Sequence, residues 1–249
     1  MSTQQAAQPQ TRYQQEVDKA AELLEKIIAA QPTIKAKSIS RVLDTHVSRI
    51  EELLPDHMRG QAQRLVKRAM LTFSRSDKLE KCTENSFIRC VLEAAELGLA
   101  IDGRLCHAVP YKGQAQCQID YKGLLEVAKR TGCIKNAWAR LIHVSDKFSA
   151  WEEDGQCHYR HEFDITQPRG DVLGVYTVVK LPDGEWVGDW MGNAELDGIR
   201  NRSVAWRSNI GPWMTDDGEM RKKTGLKRAL KTYIGDPGFT RALEIDDRE

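Results

Sequence analysis

The stretch AQCQIDY, residues 115–121, alternates apolar and polar side chains at every step. A period of two is typical of a β-strand with one face buried and the other in water. The segment YKGQ at 111–114 precedes it directly and contains a glycine, which favours a turn. The sequence therefore predicts an antiparallel hairpin over 105–121.

The residues before this hairpin show the apolar spacing of three and four that is typical of amphipathic helices. The first fifteen residues are Gln-rich and lack such a period, so a flexible arm is predicted there. The apolar face of the first helix contains Val17, Ala20, Ala21, Leu24, Ile27 and Ile28. Helices are predicted over 16–30, from a cap at Ser38 to Pro55, over about 58–73, and over 86–97 after a cap at Thr83 or Asn85.

After the hairpin the sequence predicts a short helix, several strands and further helices. The expected helices are 122–131, 193–202 and about 217–234, and the expected strands are 137–145, 157–164, 172–180 and 185–191. Asp216 and Glu219 resemble a capping box at the start of the last helix. This order predicts an α+β fold, with a mostly antiparallel β-sheet core that holds a hairpin and an embedded helix, flanked by N-terminal and C-terminal helices.

Composition and charge divide the chain into four expected regions. They are a flexible arm at 1–15, a helical region at 16–80 that we expect to make oligomer contacts, a core at 81–235 that ends in a basic helix, and an acidic tail at 236–249. The tail has five acidic residues against two basic ones. We expect it either to remain solvated or to contact a partner.

The composition of the 249 residues is that of a globular protein, with 41% hydrophobic and 29% charged residues. No apolar stretch approaches the roughly 18 residues that cross a membrane, and no secretory signal is evident. We therefore expect a cytoplasmic protein with no membrane contact. Six cysteines without any C-x-x-C pair are expected to be reduced and mostly buried.

Several classes of enzyme lack their motif in this sequence. None of the 18 glycines is followed by lysine, so a P-loop ATPase of the usual form is excluded. The motifs G-x-G-x-x-G, H-E-x-x-H and G-x-S-x-G are also missing. We therefore expect no catalytic residues and no cofactor.

Cys157, His158 and His161 form a cluster of residue types that bind metals. A strand would place residues 157 and 158 on opposite faces, which argues against a shared ion. The favoured interpretation is one buried cysteine and two surface histidines, with no metal.

One alternative function is a metal-dependent nuclease built on Asp102, Asp120 and Lys122. Two carboxylates can hold Mg²⁺ while a lysine orients the attacking water. Such a set arises easily by chance in a chain rich in charged residues. The competing interpretation places Asp120 on the solvent side of the alternating strand.

The net charge is only +1, but basic residues are concentrated locally. Residues 219–231 contain six basic side chains and one acidic one. On the predicted helix, Arg221, Lys222 and Arg228 share a face with positions 225 and 229, while Met220, Leu226 and Leu230 turn inward. Two further basic sets are Arg104, Lys112, Lys122, Lys129 and Arg130, and Arg200, Arg202 and Arg207.

Aromatic residues lie among these charges: Tyr111, Tyr121, Trp206 and Trp213. Proteins that bind single strands combine basic grooves for phosphates with aromatic side chains on which bases stack. We expect at least half of these four aromatics to belong to the core. A third hypothesis is an interaction protein whose basic helix contacts its own acidic tail or an acidic partner.

Several blocks between residues 85 and 231 carry a family resemblance. They read NSFI at 85–88, AELGL at 95–99, HAVPYK at 107–112, QIDYKGLLEVAKRTG at 118–132, GVYTVVK at 174–180, PW at 212–213 and EMRKKTGLKR at 219–228. In this order they strongly resemble the RecT family of phage single-strand annealing recombinases. The family usually has glycine where this chain has Asp120, so the nuclease-like triplet is not a family feature.

The resemblance implies a protein that binds single-stranded DNA, forms rings or filaments and anneals complementary strands without ATP. It also implies a partner exonuclease and a core related to the Rad-type annealing proteins. A host single-strand-binding protein is a further possible partner, through the acidic tail. The candidate phosphate contacts are Lys112, Lys122, Arg130, Lys222, Lys223, Lys227 and Arg228, and the candidate stacking residues are Tyr111, Tyr121 and Trp213.

Overall fold

The computed structural model describes residues 33–154, 156–232 and 236–247. The predicted arm and the predicted helix at 16–30 lie outside the described residues. The helices before the first strand are α1 (Ile34–Thr45), α2 (Val47–Leu53), a 3-10 turn (Asp56–Met58), α3 (Ala62–Ser74), α4 (Asp77–Glu80) and α5 (Glu84–Glu96). Among all the residues that the structure describes, no helix is long and apolar enough to cross a membrane.

The remaining elements alternate between short antiparallel sheets and helices, which confirms the α+β class. The strands are β1 (Cys106–Tyr111), β2 (Gln114–Ile119), β3 (Asn136–His143), β4 (Lys147–Glu153), β5 (Gln156–Glu162), β6 (Val172–Lys180) and β7 (Trp186–Gly192). The helices are α6 (Tyr121–Arg130), α7 (Asn193–Arg202), α8 (Val204–Arg207), α9 (Pro212–Thr215), α10 (Asp217–Lys231) and α11 (Pro237–Asp246).

The hairpin predicted from the alternating stretch is confirmed. Strands β1 and β2 pair antiparallel from Cys106 opposite Ile119 to Tyr111 opposite Gln114. The two residues between the strands, Lys112 and Gly113, have φ of 44° and 77°. Positive φ at both positions is the geometry of the two-residue turn that matches strand twist.

Two more sheets follow, one of three strands in the order β3-β6-β7 and one formed by β4 and β5. The sequence predicts no strand over Lys147–Glu153, and that omission is wrong. Strand β4 was missed because its outer face is polar except for Trp151 and its inner face holds only Phe148 and Ala150. Phe148 stacks on Tyr176 of β6 with ring centroids 5.1 Å apart, which attaches the β4–β5 hairpin to the larger sheet.

The predicted helix from Ser38 to Pro55 is wrong at its start and in its continuity. Thr33 is the cap, since its hydroxyl accepts a hydrogen bond from the Ala36 amide. Ser38 lies inside α1 and donates to Glu84 at 2.9 Å. The helix ends at His46, where φ is −105° and ψ is 9°, and α2 begins there.

One hydrophobic cluster extends from Ala36 in α1 to Ile245 in α11. Helix α11 lies within the stretch expected to be an acidic tail, and the expectation of a solvated tail is wrong for Pro237–Asp246. Phe239, Ala242 and Leu243 are buried because α11 packs against α6 and β2. Its charged residues are therefore held at fixed positions in the fold.

Helix α10 crosses β6 and β3, and its buried face differs from the prediction. Arg221, Gly225 and Ala229 point inward with Leu226 and Leu230, whereas Met220 is only half-buried. The predicted capping box does not form, because the Asp216 carboxylate accepts from the Thr215 hydroxyl and makes no cap bond. Because Arg221 and positions 225 and 229 are turned inward, the basic face of this helix is narrower than the sequence indicates.

Candidate nucleic-acid interface

The Asp120 carboxylate joins the start of α6 to α10. Its Oδ1 accepts from the Lys122 amide at 3.1 Å, which caps α6. Its Oδ2 lies 3.0 Å from Lys223 Nζ. The expectation that Asp120 faces solvent from a strand is wrong, since only 15% of its side chain is exposed. The cap is the reason for this burial.

This contact brings four candidate residues together at one place, which we call the α6–α10 junction: Tyr121, Lys122, Lys222 and Lys223. Lys122 is exposed at the start of α6, and Lys222 and Lys223 are each 31% exposed. Lys222 forms an ion pair with Glu219 in the preceding turn. Three ammonium groups against Asp120 and Glu219 leave the junction with a local excess of positive charge.

Tyr121 is half-buried at this junction and packs against the hydrophobic core. Burial raises the pKa of its hydroxyl, and the charges of Asp120 and Glu219 raise that pKa further. The hydroxyl, which is protonated at neutral pH in any tyrosine, can donate a hydrogen bond here. Lys122 Nζ lies 5.6 Å from the Tyr121 ring centroid.

The other cations of α10 are bound to carboxylates of neighbouring elements. Lys227 Nζ lies 2.8 Å from Oδ1 of the buried Asp246 in α11. Arg228 donates from Nε to Asp189 at 2.8 Å and from Nη1 to Glu195 at 3.0 Å. The bonds to Asp189 raise the pKa of the Arg228 guanidinium. The Lys227 contact therefore joins the basic helix α10 to α11 in the acidic stretch.

Arg130 lies at the opposite end of α6 from the junction. It is nine positions after Tyr121 along the helix, a distance of about 13 Å. Its Nη2 donates to the Leu97 carbonyl at 2.5 Å, and burial lowers the pKa of its guanidinium. Arg130 thus binds a backbone carbonyl of its own chain and lies away from the candidate residues at the junction.

The two candidates on the β1–β2 turn are accessible. Tyr111 is exposed, and Lys112 Nζ lies 5.1 Å from its ring centroid. Trp213, in contrast, is only 6% exposed within α9, so the expectation of a stacking role is wrong for this residue. Trp206 is half-buried, with the Arg200 guanidinium 4.4 Å from its ring centroid.

A further aromatic pair escaped the sequence analysis. Trp151 and His158 are opposite each other on β4 and β5, with ring centroids 5.4 Å apart and planes within 18°. Trp151 is 46% exposed. The tryptophan itself was the available signal, but it falls in the strand that the sequence did not predict.

The residues Cys157, His158 and His161 are divided between two faces of β5, as the sequence analysis expects for 157 and 158. Cys157 and His161 are on the face toward β6 and β7, and His158 is on the other. His161 is not a surface residue, because its side chain is 5% exposed and Nε2 lies 2.9 Å from Asp146 Oδ2. Within the described ranges no three His, Cys, Asp or Glu residues come close enough to hold a metal.

The carboxylates of the nuclease hypothesis have structural partners. Asp102 accepts from the Arg104 amide at 3.0 Å and pairs with Arg68 at 3.5 Å. Asp120 caps α6 and binds Lys223, as described above.

Four of the six cysteines, Cys82, Cys90, Cys106 and Cys117, are buried, which agrees with the expectation that most of them are buried.

Comparison with known proteins places this chain in a family. The RecT family matches residues 63–247. Protein RecT of Escherichia coli (strain K12) is 30% identical over 207 residues, which cover 79% of this chain and 74% of that protein. Uncharacterized protein YqaK of Bacillus subtilis (strain 168) is 28% identical over 192 residues, which cover 75% of this chain and 63% of that protein. The chain therefore belongs to the RecT family.

Proposed function

We propose that this protein binds single-stranded DNA and anneals complementary strands without ATP and without cutting them. Membership of the RecT family supports a role in phage recombination by strand annealing. The observation that carries the finer proposal is the α6–α10 junction, where Lys122, Lys222 and Lys223 converge beside Tyr121.

Annealing needs no bond chemistry, but it requires two polyanions to approach each other. Lysines that neutralise phosphates lower this repulsion, and the release of counterions from DNA favours binding. Lys222 and Lys223 already face Glu219 and Asp120, so their ammonium groups are held in place before DNA arrives. Each ammonium group can then bind a phosphate while it stays near its carboxylate, and the Asp120 cap keeps α6 in position.

Base contacts are assigned to the accessible aromatic residues. Tyr111 at the β1–β2 turn is exposed beside Lys112, and Tyr121 is half-buried at the junction. Stacking of a base on an aromatic side chain contributes about 1–3 kcal/mol and tolerates any sequence. Such contacts would hold one strand with its pairing edges open to a complement.

The proposal extends to assembly and partners. The protein would oligomerise on DNA as a ring or filament, follow an exonuclease that exposes single strands, and work in the cytoplasm of a bacterial host. Contact with a host single-strand-binding protein would involve Glu244 of α11 and Asp247, the residue that follows this helix, both of which are exposed. The RecT family match is the support for these partners.

The test is one reaction analysed on two gels. Purified protein is mixed with two labelled complementary oligonucleotides and Mg²⁺, with no nucleotide present. We expect faster duplex formation on the native gel and intact strands on the denaturing gel. Shortened strands would overturn the proposal in favour of the nuclease, and a failure to accelerate pairing would favour the interaction protein.

A further inference from the structure

The three-stranded sheet has a second face, on the side away from α10. Thr177 of β6 points toward α10, because a Cβ at Gly225 of that helix would lie 2.8 Å from Thr177 Oγ1. Successive side chains of a strand point to opposite faces, so residues 176, 178 and 180 point away from α10. The pairing places residues 136, 138 and 140 of β3 and 186, 188 and 190 of β7 opposite them. We call these nine positions the outer sheet face.

The outer sheet face is rich in aromatic and basic side chains. It contains three of the six tryptophans of the chain, together with a tyrosine and two cations. None of the nine positions, all of which lie in described strands, carries a carboxylate. The residues are Asn136, Trp138, Arg140, Tyr176, Val178, Lys180, Trp186, Gly188 and Trp190. Such a surface suits a ligand that combines negative charge with flat rings.

The β4–β5 hairpin covers one part of this face. Phe148 and Tyr159 of the hairpin each have a ring centroid 5.1 Å from that of Tyr176. The part around Trp186 stays open, since Trp186 is 41% exposed and Arg140 is exposed on β3. A ligand can therefore reach a tryptophan and a cation on the same face.

The Trp186 ring is held in place by its neighbours. Trp138 meets it with ring centroids 5.1 Å apart and planes inclined by 68°, which is a favourable edge-to-face geometry. Lys180 Nζ lies 4.7 Å from the Trp186 ring centroid. A side chain that is already fixed before a ligand arrives loses little conformational entropy on binding. Trp186 therefore has the exposure, the fixed orientation and the adjacent cation that suit a base-stacking residue.

Charge distinguishes this surface from the aromatic pair on the outside of the β4–β5 hairpin. Trp151 is 46% exposed, but its indole N–H donates to Glu153 at 3.4 Å, and Glu152 is exposed next to it in sequence. Carboxylates repel phosphates, whereas the cations of the outer sheet face attract them. Proteins that bind single-stranded nucleic acid pair phosphates with basic groups and stack bases on aromatic rings. The composition of the outer sheet face therefore favours a single-stranded nucleic acid as its occupant.

We propose that the outer sheet face binds single-stranded DNA, with Trp186 stacking on a base and Lys180 and Arg140 contacting phosphates. Because α10 packs on the other side of the sheet, this face is a contact surface separate from the α6–α10 junction. The inference rests on the proposed function, since it takes single-stranded DNA as the ligand, and it adds a second surface to that function.

Oligonucleotides with and without bases test the proposal. Fluorescence anisotropy measures the affinity of the full-length protein for a labelled single strand and for an abasic strand of the same length. Trp186→Ala should weaken binding of the strand with bases about five-fold or more, the equivalent of at least about 1 kcal/mol for a stacked base. The abasic strand should bind both proteins equally, since it keeps its phosphates and has no base to stack. Trp186→Phe keeps an aromatic ring and should recover part of the affinity.

The matched control is Trp151→Ala, which removes a similarly exposed tryptophan from a surface with carboxylates and should leave both affinities unchanged. An unchanged affinity in Trp186→Ala, or an equal loss for the two strands, would overturn the proposal. If Trp186→Ala changed the oligomeric state in analytical ultracentrifugation and kept its full DNA affinity, the outer sheet face would be a contact between copies of the chain, which would also overturn it.

Arg140→Gln gives a second readout that leaves the tryptophan packing in place. Because Arg140 is exposed, the melting temperature should hardly change. The slope of the logarithm of the binding constant against the logarithm of the salt concentration should decrease by about 0.7, with or without bases. A full slope would contradict the phosphate contact. Failure of annealing itself would overturn the proposed function, whereas normal annealing with an unchanged affinity in Trp186→Ala would overturn only this inference.

Discussion

Lys223 reaches from α10 to Asp120 at the start of α6, with 3.0 Å between Nζ and Oδ2. The residues are 103 positions apart in sequence. The same carboxylate accepts the Lys122 amide, so one acidic side chain positions two of the candidate phosphate contacts. The geometry of the junction therefore depends on Asp120 as much as on its lysines.

The double substitution Lys222→Ala and Lys223→Ala should weaken binding to single-stranded DNA. Both ammonium groups are proposed to bind phosphates, and the logarithm of the binding constant falls with the logarithm of the salt concentration by about 0.7 per neutralised phosphate. The slope of that plot should decrease by about this amount for each lysine that is replaced. Fluorescence anisotropy with a labelled oligonucleotide at several salt concentrations measures it.

The matched control for this pair is Lys78→Ala. Lys78 is an exposed lysine of α4, and its replacement removes one positive charge at a distance in sequence from the junction, against two in the double variant. The slope of this variant should equal that of the unsubstituted protein. If the double variant also retained the full slope, Lys222 and Lys223 would not bind phosphates.

The fold was largely predictable where side-chain periodicity is strong. The hairpin at 105–121 has a clear pattern because β2 has one buried face, and β6 has one because six consecutive residues, 174–179, are buried. Strand β4 was missed since it is covered on one side only, and its sequence has two glutamates at the end. The division at His46 could not be predicted either, because the apolar spacing continues through α1 and α2.

The site was less predictable, because a charge count along the chain does not reveal ion-pair partners. Lys227 and Arg228 belong to the same basic run as Lys222 and Lys223 but pair with Asp246 and Asp189. Those carboxylates come from other elements. Lys223 pairs with Asp120 of another element as well, but Lys122 and Lys222 add positive charge beside that pair. Only the folded chain therefore shows where ion pairing leaves an excess of positive charge.

Asp120→Asn should increase the affinity for single-stranded DNA. Asparagine is as good a helix cap as aspartate, so α6 should remain in place while Lys223 loses its counter-charge. Asp120→Ala also removes the charge but loses the cap, which should cost about 0.5–2 kcal/mol of stability. Anisotropy and urea unfolding of both variants separate the two effects. Lower affinity in Asp120→Asn would mean that the carboxylate assists binding.

Asp146→Asn should destabilise the attachment of the β4–β5 hairpin. The buried Asp146 carboxylate accepts from Arg169 at 2.6 and 2.8 Å and lies 2.9 Å from His161 Nε2. Breaking a buried pair on one side usually costs about 3–5 kcal/mol. Urea unfolding at neutral pH measures the loss. A change below about 1 kcal/mol, the usual value of an exposed pair, would show that the cluster contributes little.

The same carboxylate should make stability depend on acid pH. Hydrogen bonds from Arg169 hold the pKa of Asp146 well below its usual range, with smaller contributions from the His143 amide and His161. A carboxyl pKa that is lower in the folded state stabilises the fold above the unfolded pKa, about 3.9, and this contribution is lost as the pH falls further. The decrease in stability between neutral pH and about pH 3 should therefore be smaller in Asp146→Asn than in the unsubstituted protein.

Gly225→Ala should destabilise the protein although it improves the helix propensity of α10. A Cβ at Gly225 would lie 2.8 Å from Thr177 Oγ1 and 3.1 Å from Val175 Cγ1 of β6. Overpacking of this kind typically costs about 1–3 kcal/mol, more than the gain of about 1 kcal/mol from replacing a helical glycine. Urea unfolding of the variant measures the difference between these two effects.

The control for this prediction is Gly198→Ala in α7, because no atom lies within 4 Å of the Cβ position at Gly198. Apart from the backbone of its own helix and its two chain neighbours, nothing would contact that Cβ, so the variant should be stabilised by up to about 1 kcal/mol. Adding Thr177→Ala to Gly225→Ala should recover part of the lost stability, since it removes the nearest atom. If Gly225→Ala were as stable as Gly198→Ala, the close packing of α10 on β6 would not be the reason for glycine at position 225.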